Sequence, residues 1–190
     1  MARIMFIVGS DFEDSEFRVP YDRVKQAGHE AVIVGLEAGK QLKGKKGKET
    51  ITAEKSVKDV SVDQFDALVI PGGYSPDHLR MDSGMVGLVR AFFERDKPVA
   101  AICHAGWMLA EADIADGRTL TSWPSIKTDL INAGAHWVDR EVVEDGNLIT
   151  SRKPDDLKAF CDALLRQIDQ GISARIGGGA GMEAEQPLVH

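Results

Sequence analysis

Cysteine is scarce in this sequence: its 190 residues hold only Cys103 and Cys161. Two cysteines with no repeated spacing make no disulfide framework, and a reducing compartment keeps them as thiols. Long apolar runs are missing too. None approaches the roughly 20 residues that a membrane helix needs. The opening stretch MARIMFIVGSDFED has one basic residue and a short apolar run before acids begin, too little for a signal peptide. A cytoplasmic protein with no membrane partner is expected. Positive charge is in deficit, with 23 Lys and Arg against 30 Asp and Glu and a net charge of -7. That disfavours nucleic-acid binding, which needs a basic face to neutralise phosphates. GxSxG, P-loop and GxGxxG patterns are all absent. The histidines (His29, His78, His104, His136 and His190) show no zinc-like spacing. The acids Asp11, Glu13, Asp14 and Glu16 have no cation-loop pattern. Neither a metal nor a cofactor is expected.

What is present is a globular composition, 43% hydrophobic and 28% charged, long enough for one domain with a core. Short apolar segments alternate with amphipathic ones. ARIMFIVG, HEAVIVGLE, FDALVI and PVAAIC read as buried strands. Helices are expected from Asp14 to Gly28 with Phe17, Val24 and Ala27 inward, over MVGLVRAFFERDK, over HAGWMLAEAD, and over PSIKTDLINAG. Pro20 lacks the N–H that the Glu16 carbonyl needs, so the first helix should kink or start late. Residues 42–57 suggest a hairpin and RTLTSW a short strand. Asp145-Gly146 turns a second hairpin. PDDLKAFCDALLRQI is a helix whose Leu157, Phe160, Cys161, Leu164, Leu165 and Ile168 share one face. Alternating apolar strands and helices predict an α/β fold, a mostly parallel sheet with helices on both faces. One domain over residues 1–170 and a flexible tail over 171–190 are expected.

Such sheets bind ligands at the carboxyl ends of their strands, and three strand ends carry chemistry. Cys103 stands where PVAAIC stops and a helix begins, a corner that projects a nucleophile outward. The adjoining helix N-terminus should lower the thiol pKa, and His104 supplies a neighbouring base. Pro71-Gly72-Gly73 ends another strand, and its bare backbone can aim N–H groups at an oxyanion. DFEDSEF offers Glu13 and Glu16 on one helical face. A carboxylate beside a thiolate repels it, so one of the pair must hold a proton. Glu16 is the expected holder, coupled to Cys103. The run GKQLKGKKGKE packs five lysines between Lys40 and Lys48. It reads as a solvated loop or as a source of one lysine near an anionic substrate group. Cys161 reads as core.

FEDSEF with Pro20, DALVIPGG, KPVAAICH, TSWPSIKTDLINAGAHWVD and DGNLITSRKPDDL together resemble the DJ-1/ThiJ/PfpI superfamily over about residues 2–170. The likeness is strongest to PfpI-type intracellular proteases and bacterial general stress proteins. The resemblance implies a flavodoxin-like fold similar to class I glutamine amidotransferases. It implies Cys103 as nucleophile, His104 as its partner and Glu16 as the carboxyl bonded to the thiol. It implies an oxyanion hole from Gly73 and the His104 N–H, with Glu13, Lys45 and Trp123 lining the pocket. Asp77 stands where the family places a glutamate that completes the triad across a subunit interface, which implies a homo-oligomer from a dimer up to a hexamer. Three departures are visible. Asp77 is one methylene short of glutamate, Ala105 replaces a usual glycine, and Trp123 and Lys48 replace usual tyrosines. The expected activity is a stress-response cysteine hydrolase acting on small reactive carbonyls or their protein adducts, glyoxalase- or deglycase-like. The alternatives are an intracellular cysteine peptidase and a non-enzymatic oxidation sensor or chaperone.

Overall fold

The computed structural model describes residues 1–178. β1 (Arg3–Ile7) leads into α1 (Asp14–Gln26), and β2 (Glu30–Gly35) follows. β3 (Gln41–Lys43) and β4 (Thr50–Thr52) form an antiparallel pair off the main sheet, to which β5 (Lys55–Ser56) returns. β6 (Ala67–Ile70) precedes α2 (Ser75–Leu79) and α3 (Ser83–Glu94), and β7 (Val99–Ile102) precedes α4 (Gly106–Glu111). β8 (Thr119–Leu120), α5 (Lys127–Asn132) and β9 (His136–Trp137) come next, then β10 (Val143–Asp145), β11 (Leu148–Ser151) and α6 (Leu157–Gly178).

Seven strands make the central sheet in the order β10-β11-β7-β6-β1-β2-β5. All its pairs are parallel except β10 with β11. Side chains alternate across the pleat, and each face builds its own core. Met5, Ile7, Leu68, Ile70, Val99 and Ala101 pack against Val89 and Phe92 of α3 and Met108 and Leu109 of α4. Ile4, Phe6, Val69, Ala100, Ile102 and Ile149 pack against Phe17 and Val24 of α1 and Phe160 and Leu164 of α6. A fully buried side chain of this kind contributes about 1.5–3 kcal/mol. Both faces must be covered, which is why these strands are apolar without alternation.

The expected α/β architecture is therefore present, with local corrections. α1 starts at Asp14 and carries Pro20 within it, so no late start occurs, and Ala27 lies exposed past its end. The 42–57 segment divides: β3 and β4 form the hairpin, while Lys55–Ser56 becomes an edge strand beside β2. β8 pairs with β9 and not with the central sheet. α6 continues to Gly178, so residues 171–178 are helical where a tail was expected. The rest of that expected tail, 179–190, lies outside the described residues. Cys103 and Cys161 are both free thiols, the latter fully buried on α6. No helix among the described residues is long and apolar enough to cross a membrane.

Candidate active site

The carboxyl ends of β1, β6 and β7 meet at one mouth of the sheet. β7 ends at Ile102, and Cys103 follows with φ +64, in the left-handed region. That conformation costs a non-glycine residue roughly 1–2 kcal/mol. It turns the chain sharply into a short 3-10 turn and then α4, so the thiol stands at the corner and not along the strand. The Cys103 Sγ lies 3.3 Å from His104 Nδ1. The backbone N–H groups of His104 and Gly73 favour the thiolate.

Two glycines make this approach possible. A Cβ on Gly72 would lie 2.4 Å from Glu16 Oε2 and 2.7 Å from the Cys103 Cβ. One on Gly73, at φ +80, would meet the Asp11 carbonyl and the Glu13 nitrogen at 2.5 Å. Side chains are therefore excluded where β6 ends, and the backbone donates instead. Gly72 N–H donates to Glu16 Oε2 at 2.9 Å. Glu16 is fully buried, and no hydrogen-bond donor is aimed at its Oε1. Burial, and then repulsion from Glu13, raises its pKa to about 8, so it holds a proton at neutral pH.

The thiol corrects an expectation. A helix N-terminus should lower its pKa, yet burial, and next the Glu16 carboxylate, pushes Cys103 up. The two backbone donors lower it without outweighing burial. Repulsion from Glu16 operates only while Glu16 is ionised, and at neutral pH Glu16 is protonated. What remains against the thiolate is desolvation. Burial, and then the Lys45 charge, also holds His104 below the usual imidazole range. The resting site is a neutral thiol beside a neutral imidazole and a protonated carboxyl. The imidazole can accept the sulfur's proton through Nδ1 as the sulfur reacts.

Glu13 remains ionised. Burial alone would raise it, but hydrogen bonds from Lys46 and Lys45 outweigh that and hold it below the usual range. Its two oxygens meet Lys46 Nζ at 2.8 Å and Lys45 Nζ at 3.1 Å. The loop that carries these lysines joins β3 to β4 and is tied down from below. Asp14 accepts the backbone N–H groups of Lys46, Lys48 and Glu49 at 2.9, 2.9 and 2.8 Å. Lys45 N–H donates to the Phe12 carbonyl. Trp123 and Pro154 complete a cavity of about 270 Å³ over Cys103.

His104 lies beside Trp107 and stacks on Trp123, with ring centroids 5.0 and 6.4 Å away. Its Nε2 is 3.3 Å from the Ser125 hydroxyl. No carboxylate among the described residues is bonded to it. Asp77 does not reach it within the chain. It pairs at 2.8 Å with Arg80, whose guanidinium lies over Trp107. The other residues expected at the site converge: Cys103, His104, Glu16, Gly72, Gly73, Glu13, Lys45 and Trp123. Lys46, Ser125, Pro154 and the supporting Asp14 were not foreseen. The lysine run contained Lys46 but gave no means to choose it, and only the folded chain brings Ser125 and Pro154 to the pocket.

The sequence matches the DJ-1/PfpI family over residues 2–167. The chain belongs to the DJ-1/PfpI family. Among its relatives is protein/nucleic acid deglycase 2 of Escherichia coli, 47% identical over 165 residues, covering 86% of this chain and 96% of that one. Another is deglycase PfpI of Pyrococcus furiosus, 43% identical, covering 86% and 98%. Among solved structures, Drosophila melanogaster DJ-1beta superposes with a TM-score of 0.81 at 30% identity, over 92% of this chain and 97% of that one. A two-domain Anabaena variabilis protein with DJ-1/ThiJ/PfpI-like and ferritin-like domains superposes with a TM-score of 0.86 at 36% identity. That match covers 98% of this chain and 51% of the other. A larger cavity of this DJ-1/PfpI chain, about 340 Å³, opens beside Val8, Leu36 and Leu42. Ser10, Lys40 and His78 line it but no cysteine does, whereas Cys103 and His104 line the smaller one.

Proposed function

We propose that this protein is a cysteine-dependent hydrolase of the PfpI type, acting on reactive carbonyls or their adducts on amines and thiols. The observation that carries this reading is the surroundings of the Cys103 sulfur: the neutral His104 imidazole at 3.3 Å, with two backbone N–H groups and the protonated Glu16 carboxyl beside it. The thiol adds to an aldehyde carbon. The S–C bond forms as the carbonyl π bond opens, His104 Nδ1 takes the thiol proton, and Glu16 supplies one to the new oxygen. The N–H groups of Gly73 and His104 face the developing charge. With methylglyoxal, moving a proton from the aldehyde carbon to the ketone carbon, and the hydroxyl proton from the first oxygen to the second, turns the hemithioacetal into a lactoyl thioester. Water then releases lactate and restores the thiol. The names of the Escherichia coli and Pyrococcus deglycases support the same chemistry here.

A peptidase asks more of this site, because a leaving amine must be protonated by a well-oriented histidine. Within one chain His104 has a hydroxyl partner and no carboxylate. Asp77, with its side chain about half exposed, can exchange Arg80 for a second copy, and we place it in the site of a homodimer. Two free thiols fit a reducing, cytoplasmic setting.

The test is lactate formation from methylglyoxal by wild type and by Cys103→Ala. Following lactate avoids mistaking a reversible thiol adduct for turnover. Lactate from wild type that vanishes in the variant is expected. Equal lactate from both proteins removes Cys103 from the reaction, and none from wild type removes the glyoxalase form of this reading.

A further inference from the structure

The charge in the pocket does not balance. Two ammonium groups, Lys45 and Lys46, share the single Glu13 carboxylate. Glu16 is protonated at neutral pH and His104 is uncharged, so neither offsets the surplus. The Asp14 carboxylate attracts Lys46 from beneath the loop, but it lies outside the cavity lining and is taken up by three backbone N–H groups. Both lysines line the same cavity as Cys103. An ammonium has three donors, and each of these has one contact with Glu13, leaving capacity on the pocket side. Their side chains are about one-third and one-half exposed, so an incoming group can reach them. The loop itself is fixed through Asp14 and Phe12, so the pair is held in place before a ligand arrives.

We propose that Lys45 and Lys46 form an anion subsite, and that the substrate attacked by Cys103 carries a carboxylate on the same small molecule as its electrophilic carbonyl. The inference rests on the Cys103 reading above and narrows its substrate class to acidic aldehydes and carboxylate-bearing carbonyl adducts. Glu13 serves as the fixed counter-ion that holds the two ammoniums side by side. Trp123 and Pro154 form the apolar wall for the uncharged part of the ligand. Addition leaves the carboxylate unchanged: the thiol S–H and the aldehyde C=O become S–C and O–H, and no oxidant or reductant is needed.

The test separates charge recognition from turnover. Cys103 is alkylated with iodoacetate and, separately, with iodoacetamide, and the rates are followed by mass spectrometry of the Cys103 peptide. In both reactions an S–C bond forms and iodide leaves. The reagents differ in a carboxylate against a neutral amide. Wild type is expected to favour iodoacetate, relative to iodoacetamide, on the order of tenfold more than Lys45→Met/Lys46→Met does. Lys45→Arg/Lys46→Arg, which keeps both charges, should restore the preference, and added salt should weaken it in wild type. An unchanged ratio in the methionine variant overturns the subsite. So does equal slowing of both reagents, which would mean that the lysines act on the thiolate. A lost preference in the methionine variant supports the subsite even if wild type makes no lactate, so failure of the hydrolase reading is seen separately.

Discussion

Glu16 and Cys103 occupy one buried pocket that tolerates one negative charge poorly and two hardly at all. Glu16 keeps its proton in the folded protein up to about 8, whereas its ordinary value is 4.5. Between those values the folded state binds more protons than the unfolded one. Stability contributed by this group is therefore complete below the lower value and is lost as pH rises through the upper one. The slope is at most about 1.4 kcal/mol per pH unit. Glu16→Gln should abolish that slope, read from urea melts at the two ends of the window, and should shift the Cys103 thiol titration. A variant with the wild-type slope and thiol curve would show that Glu16 does not titrate with the site. Glu16 was legible from its spacing to Glu13 and from the need for one protonated member. The thiol was misread because helix position is visible in a sequence and desolvation is not. Cys103 keeps only 6% of its surface, and that burial outweighs two backbone donors.

At the scale of elements, the strand ends were readable and the loop was not. Pro71-Gly72-Gly73 and the Cys103-His104 corner break apolar runs in a way that only a strand end explains. The lysine loop carries no apolar period, and its order comes from Asp14, about thirty positions earlier in the chain. A buried carboxylate that accepts three N–H bonds is an organising contact, and removing it leaves those donors unpaired at about 1–3 kcal/mol. Asp14→Ala should speed hydrogen exchange at the amides of Lys46, Lys48 and Glu49 by tenfold or more, while the amides of β7 stay as they were. Equal acceleration in β7 would mean a global loss of stability, and no acceleration would mean that Asp14 does not hold the loop. Pro20 was overread. The sequence shows a missing donor, but the packing of Phe17 and Val24 against β1 and α6 keeps α1 continuous across it.

For the whole molecule, the outstanding matter is the partner of His104. If Asp77 acts across a dimer, Asp77→Ala keeps a nucleophile without its carboxylate, and Cys103→Ala keeps the carboxylate without a nucleophile. Each should be nearly inactive alone, and unfolding and refolding them together should restore lactate formation, because mixed dimers hold one complete site. No recovery, with mixed dimers present by mass spectrometry, would confine the histidine's partner to its own chain, with Ser125 the group in place. The fold class was readable at this scale because alternating apolar and amphipathic segments leave little choice but a covered parallel sheet. The position of β7 carries one more consequence. It lies between β6 and β11, inside the sheet and away from both edges, so its hydrogen bonds open only when the domain does. Cys103, the nucleophile we propose, hangs from the end of that strand. No partial fraying can hide it or hand it to a protease, and an intact fold always carries a formed elbow. Loss of the reactive thiol over time then measures chemistry at the sulfur, or the death of the whole protein, with nothing in between.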